Sequence, residues 1–260
     1  QIYAAGPSLI IGGVPRNFLA ALDQPTGKAT DWNPDANGLV TSFALAGNQV
    51  YAGGFFTQMG GQSRVGVAAI DAGGAVLSNW NAYANGGVWS IAANSQAVYV
   101  GGIFSSMGGL PRANLAALDL GTGLAYSVWN PGANSNVGTL ARAGNTLYAG
   151  GDFTFLDGLA RYGLAGLDAS TGRALSWSAF ANDSVRTLVV DGNTVYFGGA
   201  FTSLVDDFFT TYNRAGLAAV DLSGHITSWS PIANGKVNSL ALAGSRIYVP
   251  GEVTSVAGQA

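Results

Sequence analysis

The chain contains no cysteine. It can therefore form no disulfide, no thiolate nucleophile and no cysteine metal site, and this absence does not by itself select a compartment. Histidine occurs once, as His225 in the turn "LSGHIT", which excludes a histidine zinc cluster. A Ser-His-Asp triad would have to use that residue, and no GxSxG elbow occurs. Glutamate also occurs once, at Glu252, and lysine only at Lys28 and Lys236. The formal net charge is −3 and no basic patch is present to neutralise phosphates, so nucleic acid is not an expected partner. No apolar run approaches the roughly 18 residues of a spanning helix, so no membrane span is expected. No dense carboxylate cluster points to calcium, and no cofactor is implied. The chain opens on Gln1 rather than Met, without a signal-peptide pattern. That start reads either as a processed, exported protein, extracellular or on the cell surface, or as a trimmed piece.

What is present points to β-structure. Of 260 residues, 48% are hydrophobic and 10% charged, against roughly 25% charged in ordinary soluble domains. There are 39 glycines, and aromatics make up 11%, a mixture suited to strands joined by tight turns. The chain also repeats itself. Tyr recurs at Tyr3, Tyr51, Tyr99, Tyr148, Tyr196 and Tyr248. Arg recurs at Arg16, Arg64, Arg112, Arg161 and Arg214, each followed seven residues later by Asp23, Asp71, Asp119, Asp168 and Asp221. Trp recurs at Trp32, Trp80, Trp129, Trp177 and Trp229, and Ala-Asn pairs end at Asn37, Asn85, Asn134, Asn182 and Asn234. The period is 48 or 49 residues, stretched to 52 or 53 once.

One period reads as four strands. The first alternates, as in "VWSIAANS"; a tight turn such as "AGNQ" leads to the second, "VYAGGFF". The third is "VGVAAID" or "ANLAALD", and a "TG" turn leads to a fourth that ends at the Trp. Repeats of this length with four strands each predict an all-β β-propeller, with five blades in a single domain over 1–260. The copies start near residues 2, 50, 98, 147 and 195, with a partial sixth over 247–260. The motifs "YxGGxF", "GGxxRxxLAALD", "TG" and "WNPxAN" resemble a bacterial family of secreted propeller repeats called delta-60 repeats. The resemblance covers essentially the whole chain and implies a surface or extracellular propeller of unassigned function, with no reaction.

Each repeated residue has a structural and a functional reading. The Gly-Gly of the second strand resembles an anion-binding loop, but no helix pattern follows it, and room for the Trp or Tyr of a neighbouring blade fits better. The Arg residues either bind an anionic ligand as a ring or brace the connection between blades. The Asp residues are read as caps of the "TG" turn, and the Trp residues as packing between blades or as sugar-stacking surfaces. Acid–base chemistry is left to five of the aspartates outside the repeated positions: Asp152, Asp157, Asp183, Asp206 and Asp207. Asn182-Asp183-Ser184 matches a glycosylation sequon on a repeat Asn.

Counting gives five first, third and fourth strands but six second strands, because "QIYAAG" opens the chain and "RIYVPGEV" nearly closes it. One of the segments carrying Ile2 and Tyr3, or Ile247, Tyr248 and Val249, is then surplus, and its free edge predicts strand exchange with another copy. The loops between second and third strands are unusually apolar. Ile10, Ile11, Met59, Met107, Phe155, Leu156, Phe208, Phe209 and Tyr212 are expected to form an exposed patch on the face that also carries the Ala-Asn turns. The fifth loop, "TSLVDDFFTTYN", is the longest and breaks the symmetry. Three functions follow. The first is a non-catalytic structural or protein-interaction subunit that assembles with copies of itself, as a surface layer or filament. The second is a lectin-like propeller that binds surface glycans. The third is a two-carboxylate glycoside hydrolase or lyase, which requires two of the non-repeat aspartates in one cleft.

Overall fold

A computed structural model of the chain describes residues 1–7, 10–177 and 179–257. The first two residues of the loop "SLIIGGVP" and the last three of the partial copy over 247–260 lie outside this set. All regular structure among the described residues is β, and the chain divides into two compact units, Gln1–Asn130 and Pro131–Ala260.

Each unit repeats one antiparallel sheet. In the first unit an inner strand Val40–Ala46 pairs with Gln49–Gly54, which pairs with Val67–Ile70. The next repeat gives Gly87–Ala93, Ala97–Ile103 and Leu115–Asp119 in the same order. In the second unit the sheets are Val137–Ala143 with Thr146–Gly151 and Leu164–Asp168, then Val185–Asp191 with Thr194–Gly199 and Leu217–Asp221. Every inner strand of these four sheets carries a bulge at the same place, for example between Val88 and Ser90. The bulge turns a hydroxyl toward the neighbouring repeat: Ser42 Oγ accepts the Ile91 amide at 3.0 Å, and Thr187 Oγ1 accepts the Leu240 amide at 2.9 Å.

The expected fourth strand is reduced to one isolated bridge per repeat, such as Leu118↔Ala125 and Val220↔Ile226. The carbonyls just beyond the bridge are taken by the repeat Arg instead of by a ladder. The Nη2 group of Arg112 donates to Tyr126 O at 2.6 Å, and that of Arg214 donates to Thr227 O at 3.0 Å. Pro34, Pro131 and Pro231, after the Trp, lack the amide a continuing strand would need. The repeat is a three-stranded sheet with a tethered tail.

The loop between second and third strands is itself a small hairpin, which the sequence reading missed. Gln58–Met59 pairs with Gln62–Ser63, and Ser106–Met107 pairs with Leu110–Pro111. Gly60 and Gly61 have φ of 57° and 70°, the double left-handed backbone of a two-residue type I′ turn. Such a hairpin points alternate residues inward. Met59, Met107 and Leu156 are therefore fully buried, so the expected exposed patch is corrected at those three positions. The next glycine pair corrects another expectation. A Cβ on Gly53 would stand 2.6 Å from Val88 Cγ1, and one on Gly198 would stand 2.4 Å from Val237 Cγ1. The first glycine thus admits the aliphatic inner strand of the next repeat, not its Trp or Tyr. A Cβ on the second glycine, Gly54, would meet the Leu39 carbonyl oxygen at 2.1 Å.

Incomplete sheets stand at both ends. In the first unit Ile2–Ala5 pairs with Leu19–Leu22 alone. In the second, Ala241–Ala243 and Arg246–Tyr248 pair only with each other, and the bridge Val237↔Gly251 stands in place of a longer ladder at the start of that repeat. Ile2 and Tyr248 are exposed, while Tyr3, Ile247 and Val249 are half-buried.

Candidate functional site

The repeated residues build a frame. Each Trp ring meets the Tyr of its own repeat, with centroids 5.0 Å apart for Tyr3–Trp32, 5.4 Å for Tyr51–Trp80, 5.6 Å for Tyr99–Trp129, and 5.0 Å for Tyr148–Trp177 and Tyr196–Trp229. The indole Nε1 of Trp80 then donates to Asp119 O of the following repeat at 3.1 Å, and that of Trp32 donates to Asp71 O at 3.0 Å. The Asp carboxylates accept from the turns they precede. Asp23, Asp119 and Asp168 accept both the amide and the hydroxyl of the turn Thr; Asp71 and Asp221 accept two amides each. These bonds hold the Asp119 carboxyl below the usual carboxylate range, the Thr122 hydroxyl contributing most. The guanidiniums of Arg16, Arg64, Arg112, Arg161 and Arg214 all donate to backbone carbonyls, and desolvation lowers the affinity of Arg64 and Arg112 for their protons.

The repeat Asn residues link neighbours. Asn85 Oδ1 accepts the amides of Ser105 and Ser106 at 2.9 Å each, and its Nδ2 donates to Ser105 Oγ at 2.8 Å. Asn182 makes the same three bonds to Thr202 and Ser203. Each Ala-Asn turn is thereby fastened to the hairpin of the repeat that follows, and a cleft opens between turn and hairpin.

In the second unit this cleft is roomy. A cavity of about 550 Å³ is lined by Tyr162, Phe180, Asn182, Asp206, Asp207 and Phe209 among others. A smaller one of about 170 Å³ adjoins it, shares Tyr162 and Asn182, and is lined by Asp152 and Asp183. The rings of Tyr162 and Phe180 meet edge to face, 5.9 Å apart at 89°. One wall is the lengthened hairpin Ser203–Val205 with Thr211–Asn213, to which Phe180–Ala181 adds a third strand. Its tip, 206–210, is held by Asp206. Asp206 Oδ1 accepts the amides of Phe208 at 2.9 Å and Thr210 at 2.8 Å, and its Oδ2 accepts the Tyr212 hydroxyl at 3.0 Å. Desolvation pushes this carboxyl up, but the three bonds outweigh it and leave it below its ordinary value, while the same contact raises the Tyr212 phenol. The turn leaves Phe208 and Phe209 88% and 87% exposed. Ile10 and Phe155 are exposed as well, whereas Ile11 and Tyr212 are half-buried.

Four of the five candidate aspartates fall into pairs: Asp152 with Asp183 in the smaller cavity, Asp206 with Asp207 in the larger. Asp157 lies apart and accepts the Ala174 amide at 3.0 Å. Among the described residues no group of three or more His, Cys, Asp or Glu is placed to hold a metal ion. His225 Nδ1 lies 3.0 Å from Asp221 Oδ2 within one exposed turn.

Tyr162 and Phe180 were not singled out from the sequence, although a signal existed. They follow the repeat Arg by one residue and precede the repeat Asn by two. The same two places hold Asn17 and Asp35, Val65 and Tyr83, Ala113 and Gly132, and Ala215 and Ile232. Asn17 Nδ2 donates to Asp35 Oδ1 at 2.6 Å, so the two places adjoin there too. Inside an otherwise uniform repeat, this pair changes character from copy to copy.

No protein-family model matches the chain, and no curated protein matches it. Solved structures do. The computationally designed Ika8 protein is 15% identical with a TM-score of 0.50, over 92% of this chain and 76% of that one. A chain of the mitotic checkpoint complex is 14% identical with a TM-score of 0.57, over 89% of this chain and 64% of that one. The extracellular domain of a one-component system of B. thetaiotaomicron is also 14% identical with a TM-score of 0.57, over 93% of this chain but 30% of that one. The likeness is one of fold. These neighbours are propeller-like, and the chain shares their all-β, repeated-sheet architecture. Among the described residues no helix is long and apolar enough to cross a membrane.

Proposed function

We propose that this protein is a non-catalytic, extracellular or cell-surface propeller that works by binding other protein chains, copies of itself included. The exposed Phe208–Phe209 tip beside the large cavity carries this reading. Two adjacent aromatic rings in water are costly, and such patches belong to interfaces. Their place on the one lengthened hairpin adds weight, since the other hairpins close in two residues. The resemblance to delta-60 repeats supports a surface location. The engagement of Asp157, Asp183 and Asp206 with backbone amides supports binding over acid–base chemistry. Terminal strand exchange is a second route to self-association, and the free edges of Ile2–Ala5 and Arg246–Tyr248 favour it. The test is sedimentation velocity on the wild type and on the F208A/F209A double variant across a concentration series. Association that weakens in the variant supports the hairpin face; association unchanged by it rejects that face.

A carbohydrate reading has one observation in its favour, the aromatic walls Tyr162, Phe180 and Phe209. A glycan panel read by intrinsic fluorescence decides it, and a flat response rejects it.

A further inference from the structure

The larger cavity of the second unit is chemically one-sided. Its polar side chains are Asp206, Asp207, Asn182 and the Tyr162 hydroxyl, and no Lys, Arg or His is among its described lining residues. Carboxylates only accept hydrogen bonds. The Asn182 amide is already committed to Thr202 and Ser203. Asp207 is exposed, and among the described residues its carboxylate has no hydrogen-bond or ion-pair partner. The adjoining pocket adds Asp152 and Asp183. A neutral sugar needs donors for its own oxygens as well as acceptors for its hydroxyls, and this lining supplies little of the former. A phosphate would be repelled. A group with donors only, positive charge and a face that rests against aromatic rings matches every wall. That is a guanidinium, or less fully an ammonium.

We propose that this cavity receives a basic side chain, foremost arginine, presented by a partner polypeptide. The proposal rests on the reading that the hairpin face of the second unit is where partners dock, and it names what they must offer. Tyr162 and Phe180, packed edge to face, form one aromatic wall against which the planar cation rests. Asp207 is its counter-ion at the rim. Asp206 is a positioning residue that holds the Phe209 wall through its bonds to Phe208 and Thr210. At about 550 Å³ the space falls within the range of small-ligand pockets and exceeds what one arginine side chain fills, so flanking peptide enters with it.

The test is calorimetric titration of the full chain with the blocked peptide acetyl-Gly-Arg-Gly-amide, beside acetyl-Gly-Gln-Gly-amide and cellotetraose. Expected is saturable binding of the Arg peptide alone, with a dissociation constant on the order of 0.1–1 mM that weakens as salt is added. D207N weakens it roughly threefold to tenfold, and so does Y162A, by removing the counter-ion and the ring respectively. D207N breaks no bond within the chain, so its loss cannot be ascribed to unfolding. Equal binding of the Gln peptide, binding of cellotetraose in place of the Arg peptide, an unaffected D207N variant or no binding at all would each overturn the proposal. Sedimentation of the same samples keeps the two readings apart. If association still depends on Phe208 and Phe209 while the Arg peptide fails, the interaction face stands and the cation pocket falls.

Discussion

The same cleft occurs in both units with opposite chemistry. In the first unit its edge is built by Phe55, Tyr83, Gly86 and Gly87; at the corresponding places the second unit has Asp152, Phe180, Asp183 and Ser184. The backbone is alike in each. Gly54 and Gly151 pass so close to a bulge carbonyl that a Cβ would stand 2.1 Å from Leu39 O or from Asn136 O. Asn85 and Asn182 make the same three bonds to the next hairpin. What differs is what the frame presents. Phe55 turns its ring onto Trp89, 4.7 Å away at 71°, so the first cleft, of about 310 Å³, has an aromatic edge. Asp152 accepts from Asn136 Nδ2 at 3.2 Å, and with Asp183 it gives the second cleft, of about 170 Å³, an acidic edge. A frame that tolerates both an aromatic pair and a carboxylate pair is separable from its lining.

The comparison breaks most visibly if the frame is not common to the two units. Trp80 and Trp177 are both buried, each against its Tyr and each donating Nε1 to a carbonyl of the next repeat. W80A and W177A should each cost about 3–5 kcal/mol, the usual range for emptying such a site. Urea unfolding checks this. A large loss for one and a small loss for the other would show that the units do not share a load-carrying frame.

The lining was far less legible in the sequence than the frame. Tyr, Arg, Asp, Trp and Asn recur at fixed spacing because each satisfies a backbone group in every copy, and repetition exposes such duties at once. The extra hairpins escaped notice because "TQMGGQS" looks like a loop. Only its two left-handed glycines reveal a two-residue turn, and that turn sends Met59 inward. The fourth strand was over-read because the Trp segment is apolar in the manner of a strand, yet its carbonyls are claimed by an Arg 13 to 15 residues earlier in the chain. The site itself hides in departures from the repeat. Tyr162 and Phe180 stand out only when five copies are compared place by place.

A milder test exchanges the linings. F55D places in the first cleft the residue type of Asp152. It removes the edge-to-face contact with Trp89 and leaves the glycines and Asn85 untouched, so the expected loss is about 0.5–1.5 kcal/mol. Thermal unfolding of F55D against wild type reads this directly. A loss as large as that of W80A would mean that lining and frame are one structure after all.

The smallest effect is a pH dependence that one turn cap shares with a carboxylate of the cleft. Asp119 is held below its ordinary value mainly by the Thr122 hydroxyl, with the amides of Thr122 and Gly121 assisting. A depressed folded-state value means that the unfolded chain binds the proton more readily. The cap's contribution is then fully present above the unfolded value, near pH 4, and is lost as pH falls through the folded one. Asp206 shifts in the same direction, by its bonds to Thr210, Tyr212 and Phe208 acting against desolvation. Unfolding midpoints followed from neutral to acid pH should therefore show D119N below wild type at pH 7 and the two curves converging below pH 4. A gap that stays constant across that range would mean that Asp119 acts through shape rather than charge, and its turn would then owe nothing to ionisation.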